Sequence, residues 1–515
     1  MKKRNNILVL VLILAMVLMT ACKSKNDGAS PSDNETASSP GADKETTGTP
    51  SVLKDGKDTE LVVVYPGSSS APADLQAVQD AINVKVKEKM DAHVTLKIIE
   101  WGAMMDQYNL MLSSNEKIDL LFGVQIANYI TKGQLQPITD LVQEYAPDAL
   151  AAMGDFTDAC YMGGELYGLP TFHNLALGSG FVARKDIIDD LGLDISTVQN
   201  WDDMEEIFAE VKAAYPDMNL MVPGNVSYGV LNGIILSQLD EIQSGVGISY
   251  SSADAKVVNI YATEEYKEIC RRAYDWNQKG YFLPDAAINT ETRNSLISAG
   301  NAFGYIVSTM YPGFITQESN NNGKEMVGVN IGSSILTTSN VSMAQWTVPT
   351  ACENPEKALA FLNLLYSDPD IQNLFFYGVE GLDYQVKDAE QGVIGFLDGQ
   401  DGSTVGYTNQ AWITGNAAIA HTWETDSPTI WADLTEFNNS AKKSSLYGFT
   451  YDASKIRNEI TAITNVKNKY CAILESGMAD VDETLEKFNS ELESAGIQNV
   501  IDDMQTQIDA WVKSK

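Results

Sequence analysis

Residues 163–194 read GGELYGLPTFHNLALGSGFVARKDIIDDLGLD, and the fold turns on them. Residues 165–169 have the composition of a short strand, and Pro170 then fixes its own φ and holds its predecessor extended. A polar and aromatic loop follows (Thr171, Phe172, His173, Asn174). Residues 180–183 predict a second strand, and a helix should start near Lys185. An extended passage between two strands, with no helix inside it, reads as a chain leaving one packed unit for another.

The flanks support two such units. Residues 59–65 (TELVVVY), 93–99 (HVTLKII) and 118–122 (IDLLF) are runs of β-branched and apolar residues. Between them, residues 73–90 space Leu75, Val78, Ile82 and Val86 at helical intervals, and residues 103–113 also suit a helix. Strands alternating with helices predict a parallel α/β sheet. Beyond the passage, Asn200 caps an amphipathic helix carrying Met204, Ile207, Phe208 and Val211, and Pro216 stops it. Residues 264–279 predict another helix. Residues 302–308 (AFGYIVS) predict a strand that returns the chain to the first unit. Asn354-Pro355 and Asp368-Pro369 each pair a capping residue with proline at the first helical position. Helices are also expected over 453–475 and 480–494.

A chain of 515 residues exceeds one hydrophobic core. Its 69 acidic against 35 basic residues argue against nucleic acid or an anionic lipid surface as partner of the folded body. The amino terminus has a basic start (Lys2, Lys3, Arg4), an apolar run over 7–19, and Thr20-Ala21 before Cys22. That run is shorter than the roughly 20 residues of a membrane span. Residues 23–57, rich in Ser, Thr, Gly, Pro and acids, are expected to form a flexible tether. Cys160, Cys270, Cys352 and Cys471 are widely spaced, with no Cys-x-x-Cys and no Cys/His cluster. Four buried thiols and no metal site are the expectation, with disulfides of undetermined pairing as the alternative outside the cytoplasm.

These features resemble the bacterial extracellular solute-binding proteins of ABC importers. Tyr167-Gly168-Leu169-Pro170, Arg184-Lys185-Asp186, Leu191-Gly192-Leu193-Asp194 and Asn200-Trp201-Asp202-Asp203 match that family's first crossover. Glu380-Gly381-Leu382-Asp383-Tyr384 resembles a later motif, with Leu-Asp where Lys-His is common. The amino terminus resembles a bacterial lipobox, which implies a signal peptide over 1–22 and lipidation of Cys22. Residues from 446 onward resemble the carboxyl-terminal domain of unknown function of LipO-like lipoproteins.

The resemblance implies an α/β fold of two lobes, like periplasmic binding proteins, with hinge strands and a largely helical carboxyl-terminal extension. The expected core covers 58–375, with lobe 1 at about 58–168 and 300–350, and lobe 2 at about 169–299 and 351–375. The extension, 376–515, packs on it. The implied function is capture of a carbohydrate, an oligosaccharide, in an interlobe cleft and its delivery to membrane permease subunits. The lipid anchor places the protein on the extracytoplasmic face of the cell membrane, by default as a monomer without cofactor. A surface capture or sensory lipoprotein without transport, and a binding protein for peptide or another solute, are the alternatives.

A sugar site needs flat aromatic faces for pyranose C–H groups and polar side chains for hydroxyls. Trp101, Trp346 and Trp423 are the candidate platforms, with Gln125, His173, Asn174 and Tyr311 as polar partners. Trp412 lies on a similar loop, whereas Trp201, Trp276 and Trp511 fall in helical segments and suit core packing. The carboxyl pairs Glu380/Asp383 and Glu424/Asp426 have glycosidase-like composition. Among so many acids such pairs arise by chance. The chain has no Gly-x-Ser-x-Gly, no His-Glu-x-x-His and no Asp-x-Asp-x-Asp-Gly calcium loop. Gly178-Ser179-Gly180-Phe181-Val182-Ala183 has dinucleotide-like glycine spacing but reads as strand. No enzymatic activity is expected.

Overall fold

The computed structural model describes residues 51–225, 228–250, 252 and 255–514. The basic leader, Cys22 and the expected tether up to Pro50 lie outside the described residues.

Two sheets are built from β1 (Thr59–Gly67), β2 (Ala92–Glu100), β3 (Leu120–Val124), β4 (Gly168–Pro170), β5 (Gly180–Arg184), β6 (Asn219–Val222), β7 (Ala302–Val307), β8 (Met326–Asn330) and β9 (Ala344–Thr347). Lobe 1 has the order β2-β1-β3-β9-β4. There β1 runs parallel to β2 and β3, while β9 is antiparallel to β3 and β4. Lobe 2 has the order β8-β5-β7-β6, with only β7 and β6 parallel.

Period-two side-chain alternation puts an apolar layer on each face of the lobe 1 sheet. Leu61, Val63 and Tyr65 of β1 enter the main core on one face, and Val64 enters a smaller core with Tyr108 and Leu121 on the other. The helices follow from local chemistry. α1 (Leu75–Lys89) buries Val78, Ile82 and Val86. α2 (Trp201–Ala214) starts at a reciprocal capping box between Asn200 and Asp203 and buries Trp201, Met204, Phe208 and Val211. α3 (Glu264–Gln278) is capped by Thr263. α4 (Pro355–Ser367) and α5 (Pro369–Tyr377) both start with proline, and Asp368 accepts from the amides of Asp370 and Ile371. The extension adds α6 (Ile430–Ser440), α7 (Arg457–Glu475), α8 (Val481–Ser494) and α9 (Ile497–Ser514).

Three expected boundaries change. β7 does not return to lobe 1, because it pairs with β5 and β6 of lobe 2, and β8 stays beside it. The chain leaves lobe 2 only after Asn330. α4 and α5 belong to lobe 1, whose core takes Phe361, Leu365, Ile371 and Phe375. Order also begins before residue 58. Ser51–Lys54 forms a 3-10 turn that seats Leu53 in lobe 1. The buried Lys357 ammonium donates to Asp55 (3.0 Å), Lys57 O (2.9 Å), Thr59 Oγ1 (3.0 Å) and Asp91 O (3.0 Å).

The extension is shared between the lobes. Ile394, Tyr407, Ile413 and Leu434 lie in the lobe 1 core, whereas Leu446, Ile463, Phe488, Met504 and Ile508 complete that of lobe 2. Among the described residues, three connections cross between the lobes: 171–179, 331–343 and 441–446. They are tied together. Leu177 and Ile335 exchange two backbone hydrogen bonds of 2.8 Å, and Ile335–Leu336 pairs with Lys442–Lys443. Asn438, fully buried near the end of α6, accepts from the amides of Leu175 (2.9 Å) and Ala176 (3.2 Å). Its amide donates to His173 O at 2.7 Å.

Candidate functional site: the seam between the lobes

The crossings determine which strand ends face one another. Pro170 ends β4 beside Gln345, and Val124 ends β3 beside Ala344. β1 and β2 run parallel to β3, so Gly67 and Glu100 finish on the same edge. In lobe 2 the chain arrives at Gly180, opposite Val307 and Asn330, the last residues of β7 and β8. β6 is parallel to β7, so its carboxyl end shares that edge. Both sheets therefore turn strand carboxyl ends toward the seam, where open α/β sheets bind ligands.

On the lobe 1 edge, Trp101 sits in a turn directly after β2 and is half-buried. Its ring stacks on Trp412 with centroids 5.3 Å apart and planes at 22°. Phe122 meets Trp412 edge-on at 5.6 Å. The Trp412 carbonyl accepts from Thr171 Oγ1 at 2.7 Å, which pins the pair to the first crossing. Gln125, just past β3, is exposed and holds φ at 53°, a region side chains other than glycine enter at a cost. Its amide donates to Met343 O at 3.1 Å, fixing that turn to the second crossing.

On the lobe 2 edge, Tyr311 packs against the cores of both lobes and donates to Gln317 Oε1 at 2.7 Å. Burial above all pushes its phenol up to about 12, and the nearby charges of Glu318 and Asp426 add to this. Beneath it, Arg293 pairs with the buried Glu318 at 3.0 Å, lies 4.8 Å over the Tyr305 ring and donates to Gly224 O at 2.8 Å. Tyr305 OH bonds to Glu318, and Asn322 Nδ2 to Tyr305 OH at 2.9 Å. Asn174 is half-buried in the first crossing. Trp423 is half-buried against Phe396 (4.5 Å) and Tyr377 (5.3 Å), and its carbonyl accepts from the Asp426 amide.

Two candidates are corrected. Trp346 has no exposed surface: it stands among Tyr65, Phe122 and Phe375, and its Nε1 donates to Ile413 O (3.1 Å) and Thr414 O (3.2 Å). It is core, held by the extension. His173 is also buried, with Nδ1 on Thr171 O at 2.9 Å and no partner for Nε2 among the described residues. Burial pulls its imidazole down to about 4, so it is a neutral spacer of the crossing at neutral pH. Of the carboxyl pair Glu380/Asp383, the second member lies inside the fold. Asp383 is wholly buried and accepts from the Val379 amide at 2.8 Å, and burial raises it to about 6. Arg293 gains its importance only in space, and so does the pairing of the loop residue Trp412 with Trp101. No sequence signal marks Arg293, and Trp412 is one tryptophan among eight.

Among the described residues no cluster of three or more His, Cys, Asp or Glu side chains is arranged to hold a metal. The four described cysteines are free thiols, three of them buried. No described helix is long and apolar enough to cross a membrane.

Comparison with known proteins agrees with this geometry. The family model for bacterial extracellular solute-binding protein matches residues 67–372, and a domain of unknown function (DUF3502) matches 445–513. A carbohydrate ABC transporter substrate-binding protein of Streptococcus pneumoniae serotype 4 is 24% identical over 483 residues, 91% of this chain and 94% of that protein. The crystal structure of the N-glycan transport solute binding protein NgtS from Streptococcus pneumoniae superposes with a TM-score of 0.76 at 21% identity, covering 88% of this chain and 99% of that one. Its complex with Man5GlcNAc superposes with a TM-score of 0.62 at 23% identity, covering 89% and 99%. A solute-binding protein of Bifidobacterium longum subsp. infantis gives 0.62 at 16% identity, covering 89% and 99%. With two lobes, tied crossings and a family match spanning the greater part of the chain, this protein belongs to the bacterial extracellular solute-binding proteins.

Proposed function

We propose that this protein captures an oligosaccharide in the seam between its lobes and delivers it to the membrane permease of an ABC importer. The observation that carries the reading is the Trp101–Trp412 stack on the lobe 1 edge. A rigid pair of indoles offers an apolar face to pyranose C–H groups, and its cost in conformational entropy is already met before ligand arrives. Gln125 supplies a polar group on the same edge, Asn174 one from the first crossing and Tyr311 one from the lobe 2 edge, with Trp423 a further ring toward the extension. The carbohydrate-binding relatives support the same class. Connections that bend while staying mutually hydrogen-bonded suit hinge closure, and a ligand drives closure by binding the closed arrangement better. In this reading Cys22 carries the lipid anchor, the body is extracytoplasmic and monomeric, and it needs no cofactor.

Isothermal titration of the protein from residue 51 onward with Man5GlcNAc, other oligosaccharides and short peptides tests it. Binding of a glycan, with Trp101→Ala and Trp412→Ala each weakening it at least about tenfold (roughly 1.4 kcal/mol), is expected. Binding of peptides alone would overturn the carbohydrate reading. Release of a Cys22→Ala protein from cells tests the anchor.

A further inference from the structure

The carboxyl end of α7 reaches the lobe 2 edge of the seam. β6 stops at Val222, and the chain resumes helical geometry at Asn232–Gln238. Gly224 lies against Ile306 O, where a Cβ would come within 2.6 Å, and Gly233 lies against Val307, so these two glycines lie at the seam-facing end of β7. Tyr228, 46% exposed, precedes the part that the extension holds.

That hold is made residue by residue. Gly229 is pressed onto Glu475, whose Cβ would be 2.1 Å from an added Cβ. The Val230 amide donates to Ser476 Oγ at 3.2 Å, and the Leu231 amide to Glu475 O at 3.1 Å. Asn232 Nδ2 donates to Glu475 Oε2 at 3.2 Å, and Tyr266 OH to Glu475 Oε1 at 3.3 Å. Glu475 and Ser476 are both buried. The turn that carries them is fixed from behind, because Asn277 Nδ2 donates to Ser476 O (3.1 Å) and Gly477 O (2.8 Å). A buried carboxyl spent on one loop of the other half of the chain is costly unless its hydrogen bonds are met, and here both oxygens have partners.

We propose that the carboxyl-terminal domain of unknown function is a working part of the ligand site: Glu475 and Ser476 are positioning residues that set the 228–232 segment, and with it Tyr228, at the seam. The inference rests on the seam being the ligand site. Burial raises the Glu475 acid to about 7, so the neutral amide of Gln is a close substitute.

The test uses the protein from residue 51 onward with Glu475→Ala, Ser476→Ala and Glu475→Gln. Hydrogen exchange without ligand should show protection at Val230 and Leu231 falling about tenfold in the two alanine variants and kept in Glu475→Gln. With Man5GlcNAc as probe, well below the unfolding temperature, the alanine variants should bind about tenfold more weakly, the effect of about one lost hydrogen bond, and Glu475→Gln within about twofold of the parent. Unchanged affinity in alanine variants that have lost protection would make the contact merely structural and overturn the proposal. If the parent binds no glycan, the carbohydrate reading fails by itself. The affinity arm is then read with a peptide that the parent binds, and protection retained in both alanine variants overturns the positioning role with either probe. Should Glu475→Ala fail to fold, Ser476→Ala carries the same two readouts.

Discussion

Replacing Asn438 by alanine removes one side chain that serves three backbone groups of the first crossing. The amides of Leu175 and Ala176 lose their acceptor and His173 O loses its donor. All lie in a buried neighbourhood, with Asn438, Leu175 and Ala176 fully buried. A buried polar group without a partner costs about 1–3 kcal/mol, so three give roughly 3–9 kcal/mol. Water entering the space left by the amide would satisfy part of this, which places the expectation near the lower bound, about 4 kcal/mol. In urea, followed by far-UV circular dichroism, this corresponds to a midpoint lowered by roughly 1 M for a chain of this size. Asn439, the exposed neighbour on α6, is the control, and its alanine variant should stay within about 0.5 kcal/mol of the parent. A loss below about 1 kcal/mol for Asn438→Ala would refute the argument that this side chain holds the crossing. A second readout is small-angle scattering of the folded variant, which should show a wider spread of lobe arrangements than the parent.

Trp346→Phe keeps most of the ring but leaves Ile413 O and Thr414 O without their donor, so a loss of about 1–2 kcal/mol in urea unfolding is expected, with glycan affinity unchanged. Two buried groups give opposite pH slopes. Glu475 keeps its proton in the fold up to about 7 against an ordinary 4.5, so its contribution is full below 4.5 and lost as pH rises through 7, about 3 kcal/mol in all. His173, pulled down to about 4 from 6.5, contributes fully above 6.5 and loses that stability as pH falls toward 4. The two slopes offset each other between 4.5 and 6.5 in the parent, so across that window urea midpoints should rise with pH in Glu475→Gln and fall with pH in His173→Gln. Lys357→Met strands four oxygen acceptors and should cost about 3 kcal/mol, and limited proteolysis should cut first within 51–59.

Features governed by near neighbours were legible in the sequence. The Asn200 capping box, the proline starts of α4 and α5, and the extended passage through Pro170 are each set by a few adjacent residues. What depended on distant partners was not. The run AFGYIV announces a strand, yet nothing in it says that it pairs with β5 and β6 rather than with lobe 1. Trp346 looks like a strand-end platform in QWTVP until the carbonyls of 413 and 414, supplied by the extension, close over its indole nitrogen. Trp101 was readable as a strand-end ring, but its partner Trp412 lies far along the chain, and only the fold stacks them.

The division of the extension between the lobes sets an order of assembly. Lobe 2 starts at β5, yet its core waits for Phe488, Met504 and Ile508, far along the chain. Lobe 1 waits for Ile413 and Leu434. Contacts at such sequence separation make closure of both cores late and slow. Lobe 1 can close once Leu434 and Tyr447 have emerged, whereas lobe 2 waits for α8 and α9. Lobe 2 therefore stays open until those two helices arrive. A truncation before residue 446 would leave lobe 2 with an open apolar face rather than a smaller working protein.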